Sequence, residues 1–451
     1  MHRVLSGLVA ALIATGPLAA QPDRYDTGRR LVEFERAWDA TPDPAARKRT
    51  TPYLKQAMAS FFGGRLGDAA RLLESARHAL ASDQPPEPAR VAAASLSIRP
   101  AARLFDPAAG PLAVRVVRLF QPPAGDDAKY VVSLTILVNG AARPNSEAKV
   151  ESVPAEFPLT VDGLPEGDHA LRWTIRSGDQ TLAGGECRLS AVYRLEERLA
   201  RLGATVEKLP TETLTTEQRT LRSHVALLQK LSRGVTLETD YPAHRLLVEA
   251  EKLAELAPGA KYFTGERAGE YWLTLETTKG GTAVRMVAPE TPAGQKRPLV
   301  VAMHGAGGSE NMFFDAYGHG AVVREAAKRG WFLVATRTEF FGAPPVGAIV
   351  DELARRFPID TSRVFLVGHS MGAGQAIALA QQSPERWAGV AALGGGGRPG
   401  KPEAFRTTPL FVGVGTEDFA INGARALARS AKAAGGTVVE KEYADIEHIV
   451  I

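Results

Sequence analysis

The stretch Gly368-His369-Ser370-Met371-Gly372 constrains this chain more than any other, because of what flanks it. Val364–Val367 before it is a short apolar run that reads as a buried strand, and Ala373–Gln382 after it reads as a helix. A strand that must turn sharply into a helix leaves no room for side chains on either side of the turn. Glycine at 368 and 372 removes that collision and leaves Ser370 at the strand tip, its hydroxyl exposed above a helix N-terminus. The five-residue string alone is a weak signal; it needs partners.

A serine hydroxyl is a poor nucleophile at neutral pH and needs a base to take its proton. In the arrangement that accompanies such an elbow, an acid and then a histidine follow the serine along the chain. Of the nine histidines only His448 follows Ser370, just after the β-branched run Thr437–Tyr443 that reads as the last strand. The acid must hold the imidazole in one tautomer and stabilise its charged form. Leu410–Val414 reads as a buried strand, and Asp418 leaves its end with Glu417 beside it as the fallback. Asp445 and Glu447 are too near His448 in sequence to approach its ring from behind. An oxyanion needs backbone N–H donors, and Met371, the residue after the serine, supplies one. Upstream, Leu299–Met303 reads as a strand followed by His304-Gly305-Ala306-Gly307-Gly308, a small-residue loop whose second donor is assigned to the Ala306 N–H. His304 and His369 are read as structural.

From about residue 260 to the end, the chain resembles an α/β-hydrolase of the esterase and prolyl-oligopeptidase-like group. It is nearest to secreted polyhydroxybutyrate-depolymerase and feruloyl-esterase-type enzymes. The resemblance rests on residues 298–308, 359–374 and 409–418 with Glu447-His448, and covers under half the chain. It implies Ser370, Asp418 and His448 as the triad, with Met371 and Ala306 as oxyanion donors. That group usually adds a final helix after the histidine, whereas this sequence stops at Ile451. Either the chain is a fragment or the N-terminal part takes the helix's place; the expectation is a sheet face left uncovered beside the last strand, reduced stability and a mobile His448 loop.

At 451 residues and 45% hydrophobic content, the chain is long enough for two or three cores. Residues 1–20 join a cationic head, an apolar body from Val4 to Ile13 and a small-residue end, which reads as a cleaved signal peptide and implies a secreted or periplasmic protein. After its removal no stable membrane insertion is expected. The single Cys187 excludes an internal disulfide. A net charge of +4 with interleaved signs argues against a nucleic-acid partner.

Residues 21–90 carry helical spacing. From 91 to 193 the period changes to two, with Asn139-Gly140 as a turn signal, suggesting a small β-sandwich. Residues 194–258 return to helical spacing as a linker, and 259–451 alternate strands and helices. The fold class is thus α/β: a mainly parallel, doubly covered hydrolase sheet preceded by helical segments and the sandwich.

Phe313 and Phe341, with Phe314 and Phe340 beside them, follow strands whose ends should face the site and are candidate substrate contacts. Metal-ligand spacing is absent, and neither a metal nor another cofactor is expected. The reading is a hydrolase of small-molecule or polymeric carboxylic esters acting through an acyl-enzyme. The alternatives are a prolyl-oligopeptidase-like peptidase and a surface binding protein with a degenerate hydrolase domain.

Overall fold

The computed structural model describes residues 22–122, 129–143, 146–277, 280–338 and 344–450. The chain divides into two compact units. One takes the chain up to Ala37, Pro52–Leu209 and Leu221–Glu255; the other takes Trp38–Thr51, Pro210–Thr220 and Leu256–Ile451.

The first unit holds most of helices α1 (Pro22–Ala40), α2 (Pro44–Phe62), α3 (Leu66–Ala81) and α4 (Pro88–Ala94). Two sheets follow, as the period-two pattern predicts. Strands β1 (Leu96–Pro100), β3 (Leu112–Arg118) and β7 (Ala155–Leu159) form one. The second runs β2 (Leu104–Phe105), β9 (Gln180–Ala191), β8 (Gly167–Ser177) and β4 (Tyr130–Val138), with β5 (Ala141–Ala142) and β6 (Ser146–Val150) both paired to β4. Ile98, Val114 and Val116 from one sheet share a core with Leu134, Leu171, Trp173 and Leu189 from the other. Alternate residues of each strand supply that core, which is why the sequence alternates. Helices α5 (Leu195–Glu207), α6 (Thr216–Ser232) and α7 (Ala243–Ala254) follow.

The second unit is built on an eight-stranded sheet. In chain order its strands are β10 (Gly269–Thr277), β11 (Gly280–Ala288), β12 (Arg297–Met303), β13 (Phe332–Thr336), β14 (Ile359–His369), β15 (Gly389–Leu393), β16 (Leu410–Gly415) and β17 (Val438–Tyr443). In space they lie β10-β11-β13-β12-β14-β15-β16-β17, and only the β11 pairings are antiparallel. This is the α/β-hydrolase strand order, with its single crossover at β12 and β13. Between the strands lie α8 (Met312–Asp315), α9 (Tyr317–Lys328), α10 (Val346–Ala354), α11 (Met371–Gln382) and α12 (Ile421–Ala433).

The sheet centre is buried on both faces. Val300 packs with Leu333 and with Ala326 of α9, and Ala302 with Phe313. Val301 and Met303, which the pleat turns the other way, are also fully buried. Towards β17 the α9 face opens into an apolar groove lined by Trp331, Phe365, Val367, Ala391 and Phe411. It ends at Val439, which is 58% exposed.

The second unit is not the single stretch 259–451 that the sequence pattern suggests; besides Leu256–Ile451 it takes in two earlier segments. Polar contacts explain the inclusion of Pro210–Thr220. Glu217 pairs with half-buried Arg356 at 2.7 Å and accepts the Tyr262 N–H at 3.1 Å, while Thr216 Oγ1 donates to Glu352 at 3.0 Å. Such long-range pairs leave no periodic trace.

Candidate active site

Strands β12, β14, β15, β16 and β17 end side by side. Met303 is paired with Gly368, His369 with Leu393, and Gly415 with Tyr443. The loops that leave these ends therefore converge on one edge, where open α/β sheets bind ligands.

Ser370 stands at φ 54° and ψ −113°, a conformation a non-glycine residue holds only when its surroundings dictate it. The surroundings do. A Cβ at Gly368 would overlap the Gly372 carbonyl, and one at Gly372 would overlap the Met303 carbonyl oxygen. The Ser370 N–H donates to the Leu393 carbonyl at 2.8 Å. Met371 opens α11, so its N–H belongs to the helical first turn that has no intrahelical acceptor. Both sequence expectations for this turn, tight backbone and a helix beneath it, describe the observed geometry.

Asp418 and His448, separated by 30 positions, meet in the interior, only 2% and 1% exposed. His448 Nδ1–H donates to Asp418 Oδ1 at 2.9 Å, and the Ala420 N–H donates to the same oxygen at 2.7 Å. Oδ2 has no hydrogen-bond partner among the described residues. Gly394, at φ 54°, packs on the pair: a Cβ there would sit 3.1 Å from Asp418 Oδ2 and 3.2 Å from His448 Nδ1. The ring of His448 is bonded to Asp418; among the described residues no hydrogen bond joins its other nitrogen to Ser370 Oγ. Catalytic contacts in unliganded enzymes are commonly longer than in complexes.

The loop that carries His448 is tied down. Thr416 N–H donates to the Tyr443 carbonyl at 2.9 Å and Glu417 N–H to the Ile446 carbonyl at 3.0 Å. Asp445 N–H donates to Thr416 Oγ1 at 2.9 Å. From Trp38–Thr51, Thr51 Oγ1 donates to the Asp445 carbonyl at 3.3 Å and Lys48 pairs with the Asp445 carboxylate at 3.1 Å. This lacing runs against the loose histidine loop that the sequence suggests. It is Asp418, not Glu417, that reaches the ring. Glu447 is buried beside it, its carboxyl pushed up by burial, and accepts the Ile449 N–H at 3.0 Å.

On the opposite side, the loop after β12 is held by His304. Its Nδ1–H donates to the Gly305 carbonyl at 2.7 Å, and its Nε2 accepts the Thr338 N–H at 3.1 Å. The Gly305 N–H is taken up by Tyr317 Oη at 3.0 Å, which leaves the next N–H, that of half-buried Ala306, as the loop's candidate donor.

Two residues at this edge have no counterpart in the sequence expectations. Tyr317 bonds both the Gly305 loop and His369. Phe419, 65% exposed, lies across the His448 ring with centroids 4.3 Å apart. Its place next to Asp418 was the available signal.

Phe313 is a correction. It is 1% exposed and packs edge-on to Tyr317 and against Ala302 and Ala335, so it belongs to the core and does not line a substrate surface. Phe314 is half-buried with Arg285 over its ring at 4.2 Å. Phe340 and Phe341 lie outside the described residues, as does the leader at 1–20. Among the described residues no group of three or more His, Cys, Asp or Glu is gathered as for a metal ion. Among them, too, no helix is long and apolar enough to cross a membrane.

No family model matches the chain. A curated relative, the provisionally assigned esterase NocK of Nocardia uniformis subsp. tsuyamanensis, is 33% identical over 135 residues, covering 27% of this chain and 38% of that protein. The chain thus spans well under half the length of the relative it matches. Among solved structures, S-formylglutathione hydrolase FrmB of Staphylococcus aureus is 11% identical over 40% of this chain and 92% of its own, with a TM-score of 0.35. A feruloyl esterase module of Clostridium thermocellum complexed with sinapinate is 16% identical over 41% and 82%, TM-score 0.34. A thermostable esterase is 14% identical over 77% and 91%, TM-score 0.36. At such scores these likenesses carry no argument about activity; the fold assignment rests on the strand order.

Proposed function

We propose that the α/β-hydrolase unit of this chain is a serine hydrolase that cleaves carboxylic esters through an acyl-enzyme. One observation carries the reading: a buried carboxylate–imidazole hydrogen bond, Asp418 to His448, at the sheet edge where Ser370 is held in a strained turn. In this reading Ser370 Oγ attacks the ester carbonyl carbon while His448 Nε2 takes its proton. Asp418 accepts the Nδ1–H and stabilises the imidazolium that forms. The Met371 and Ala306 N–H groups hold the oxyanion. Collapse of the tetrahedral intermediate expels the alcohol, which leaves with the proton from His448. A water then gives a proton to His448 and attacks the acyl carbon; as that intermediate collapses, His448 returns the proton to Ser370 Oγ and the acid leaves.

Phe419 favours an ester with an apolar or aromatic group beside the histidine, from a small molecule or a polymer end. Residues 1–20 support a secreted or periplasmic location in the same proposal.

The test is covalent labelling of the full chain with a fluorophosphonate. Labelling at Ser370, abolished in Ser370→Ala, is the expected result; a folded protein that resists the probe sinks the reading. Turnover of p-nitrophenyl acetate compared with a dipeptide p-nitroanilide decides between ester and peptide substrates, and ester turnover alone is expected.

A further inference from the structure

We propose that Tyr317 and His369 are positioning residues that link the oxyanion loop to the histidine loop, so that the two halves of the site keep one register. The proposal rests on the reading of Ser370 and His448 given above. Four groups from four elements form an unbroken chain. The Gly305 N–H donates to Tyr317 Oη at 3.0 Å, Tyr317 Oη lies 3.0 Å from His369 Nδ1, and His369 Nε2 lies 3.0 Å from the His448 carbonyl oxygen.

The direction of every link is fixed by chemistry. A carbonyl oxygen only accepts, so His369 Nε2 carries the hydrogen. In a neutral ring Nδ1 is then a bare lone pair, so the Tyr317 hydroxyl donates to it. The hydroxyl oxygen is left to accept from Gly305, which can only donate. Reversing any one link breaks the others.

His369 is suited to this because it stays neutral. It is 6% exposed, and burial with His448 alongside pushes its imidazole down to about 3. The aromatic packing follows the same line, with ring centroids 4.8 Å apart for Phe313–Tyr317, 4.7 Å for Tyr317–His369 and 4.8 Å for His369–His448. Tyr317 also begins an unusual run. Tyr317, Gly318, His319 and Gly320 all have positive φ, from 30° to 73°. Left-handed backbone at two non-glycine residues persists only where the surroundings hold it. The hydroxyl bridge is one such hold.

The experiment measures amide hydrogen exchange by mass spectrometry on the full chain, alongside kcat and KM for p-nitrophenyl acetate. Tyr317→Phe removes the hydroxyl and keeps the ring. His369→Leu removes both ring nitrogens, and His369→Gln restores a donor toward His448. Tyr317→Phe keeps the ring and its packing and removes only the hydroxyl, which bonds the imidazole that holds the His448 carbonyl. Faster exchange at residues 443–450 in Tyr317→Phe is therefore expected from the relay and not from a local packing role. The expected kinetic result is kcat down about tenfold in Tyr317→Phe and His369→Leu with KM within about twofold, and substantial recovery of both readouts in His369→Gln. Unchanged exchange at 443–450 in Tyr317→Phe overturns the relay, even if His369→Leu fails to fold. A wild-type protein that neither hydrolyses the ester nor takes the fluorophosphonate would overturn the hydrolase reading instead, while the exchange data still decide the relay.

Discussion

Asp418 Oδ1 accepts the Nδ1–H of His448 at 2.9 Å while also accepting the Ala420 N–H at 2.7 Å. The backbone donor orients the carboxylate, so the oxygen facing the ring is set before any substrate arrives. An orienting group of this kind selects the tautomer with its lone pair on Nε2, the nitrogen a serine proton needs.

Asp418→Ala tests that selection. It removes both the oxygen that fixes the tautomer and the charge that stabilises the imidazolium, whereas in an amide the Ala420 N–H would keep an oxygen on the ring. We expect kcat for p-nitrophenyl acetate to fall by roughly four orders of magnitude. A loss under tenfold would remove Asp418 from the catalytic set and leave its buried neighbour Glu447 to be tested by Glu447→Gln.

The elbow makes opposite predictions for two glycines, two and four positions after Ser370. At Gly372 a methyl group would overlap the Met303 carbonyl, whereas at Gly374, on the same helix, nothing lies within 4 Å. Gly372→Ala should cost about 3 kcal/mol or fail to fold, since the obstacle is backbone. Gly374→Ala should stabilise by about 0.5–1 kcal/mol through helix propensity. Denaturant melts of the two variants check both signs.

Acid should destabilise the fold through His369. Burial and neighbouring His448 hold its folded value at about 3, against 6.5 for a free imidazole, with Tyr317 and Asp418 the other polar groups around it. Between those values the unfolded chain binds a proton that the folded one does not. The stability it contributes is therefore complete above 6.5 and is lost as pH falls towards 3. Chemical-denaturation midpoints measured from pH 7 to pH 4 should fall more steeply for the wild type than for His369→Gln.

Phe419 offers an exposed ring on the face of His448, 4.3 Å between centroids. Phe419→Ala should raise KM about fivefold for an aromatic ester such as a feruloyl ester, in line with the ~1 kcal/mol of an aromatic contact. Acetate esters of short alcohols should change by less than twofold. Equal effects on both would assign the ring to packing.

Much of this was legible in order and spacing. The strand before Ser370, the tight glycines and the helix after it are local, so their pattern survives in sequence. Asp418 and His448 were reachable because each follows a readable strand, and parallel strands deliver their ends to one edge. Tyr317 was not reachable: it sits in Tyr-Gly-His-Gly, a left-handed run with no periodicity to reveal it. Phe313 was misjudged because whether its ring turns to solvent or inward depends on packing against Ala302 and Ala335, which lie on strands distant in sequence. The recruitment of Pro210–Thr220 is invisible for the same reason, since Glu217 and Arg356 are 139 positions apart.

The lacing between residues 415–418 and 443–447 has a kinetic corollary. Asp418 and His448 ride on one bonded platform, Ser370 on a second anchored through the Leu393 carbonyl, and the bond from His369 Nε2 to the His448 carbonyl ties the two at the backbone. In the proposed reaction the freedom that remains is in the side chains, across the gap a proton would cross. A bound ester spanning both platforms would fix that gap, so turnover should reward substrates by their length as much as by their chemistry.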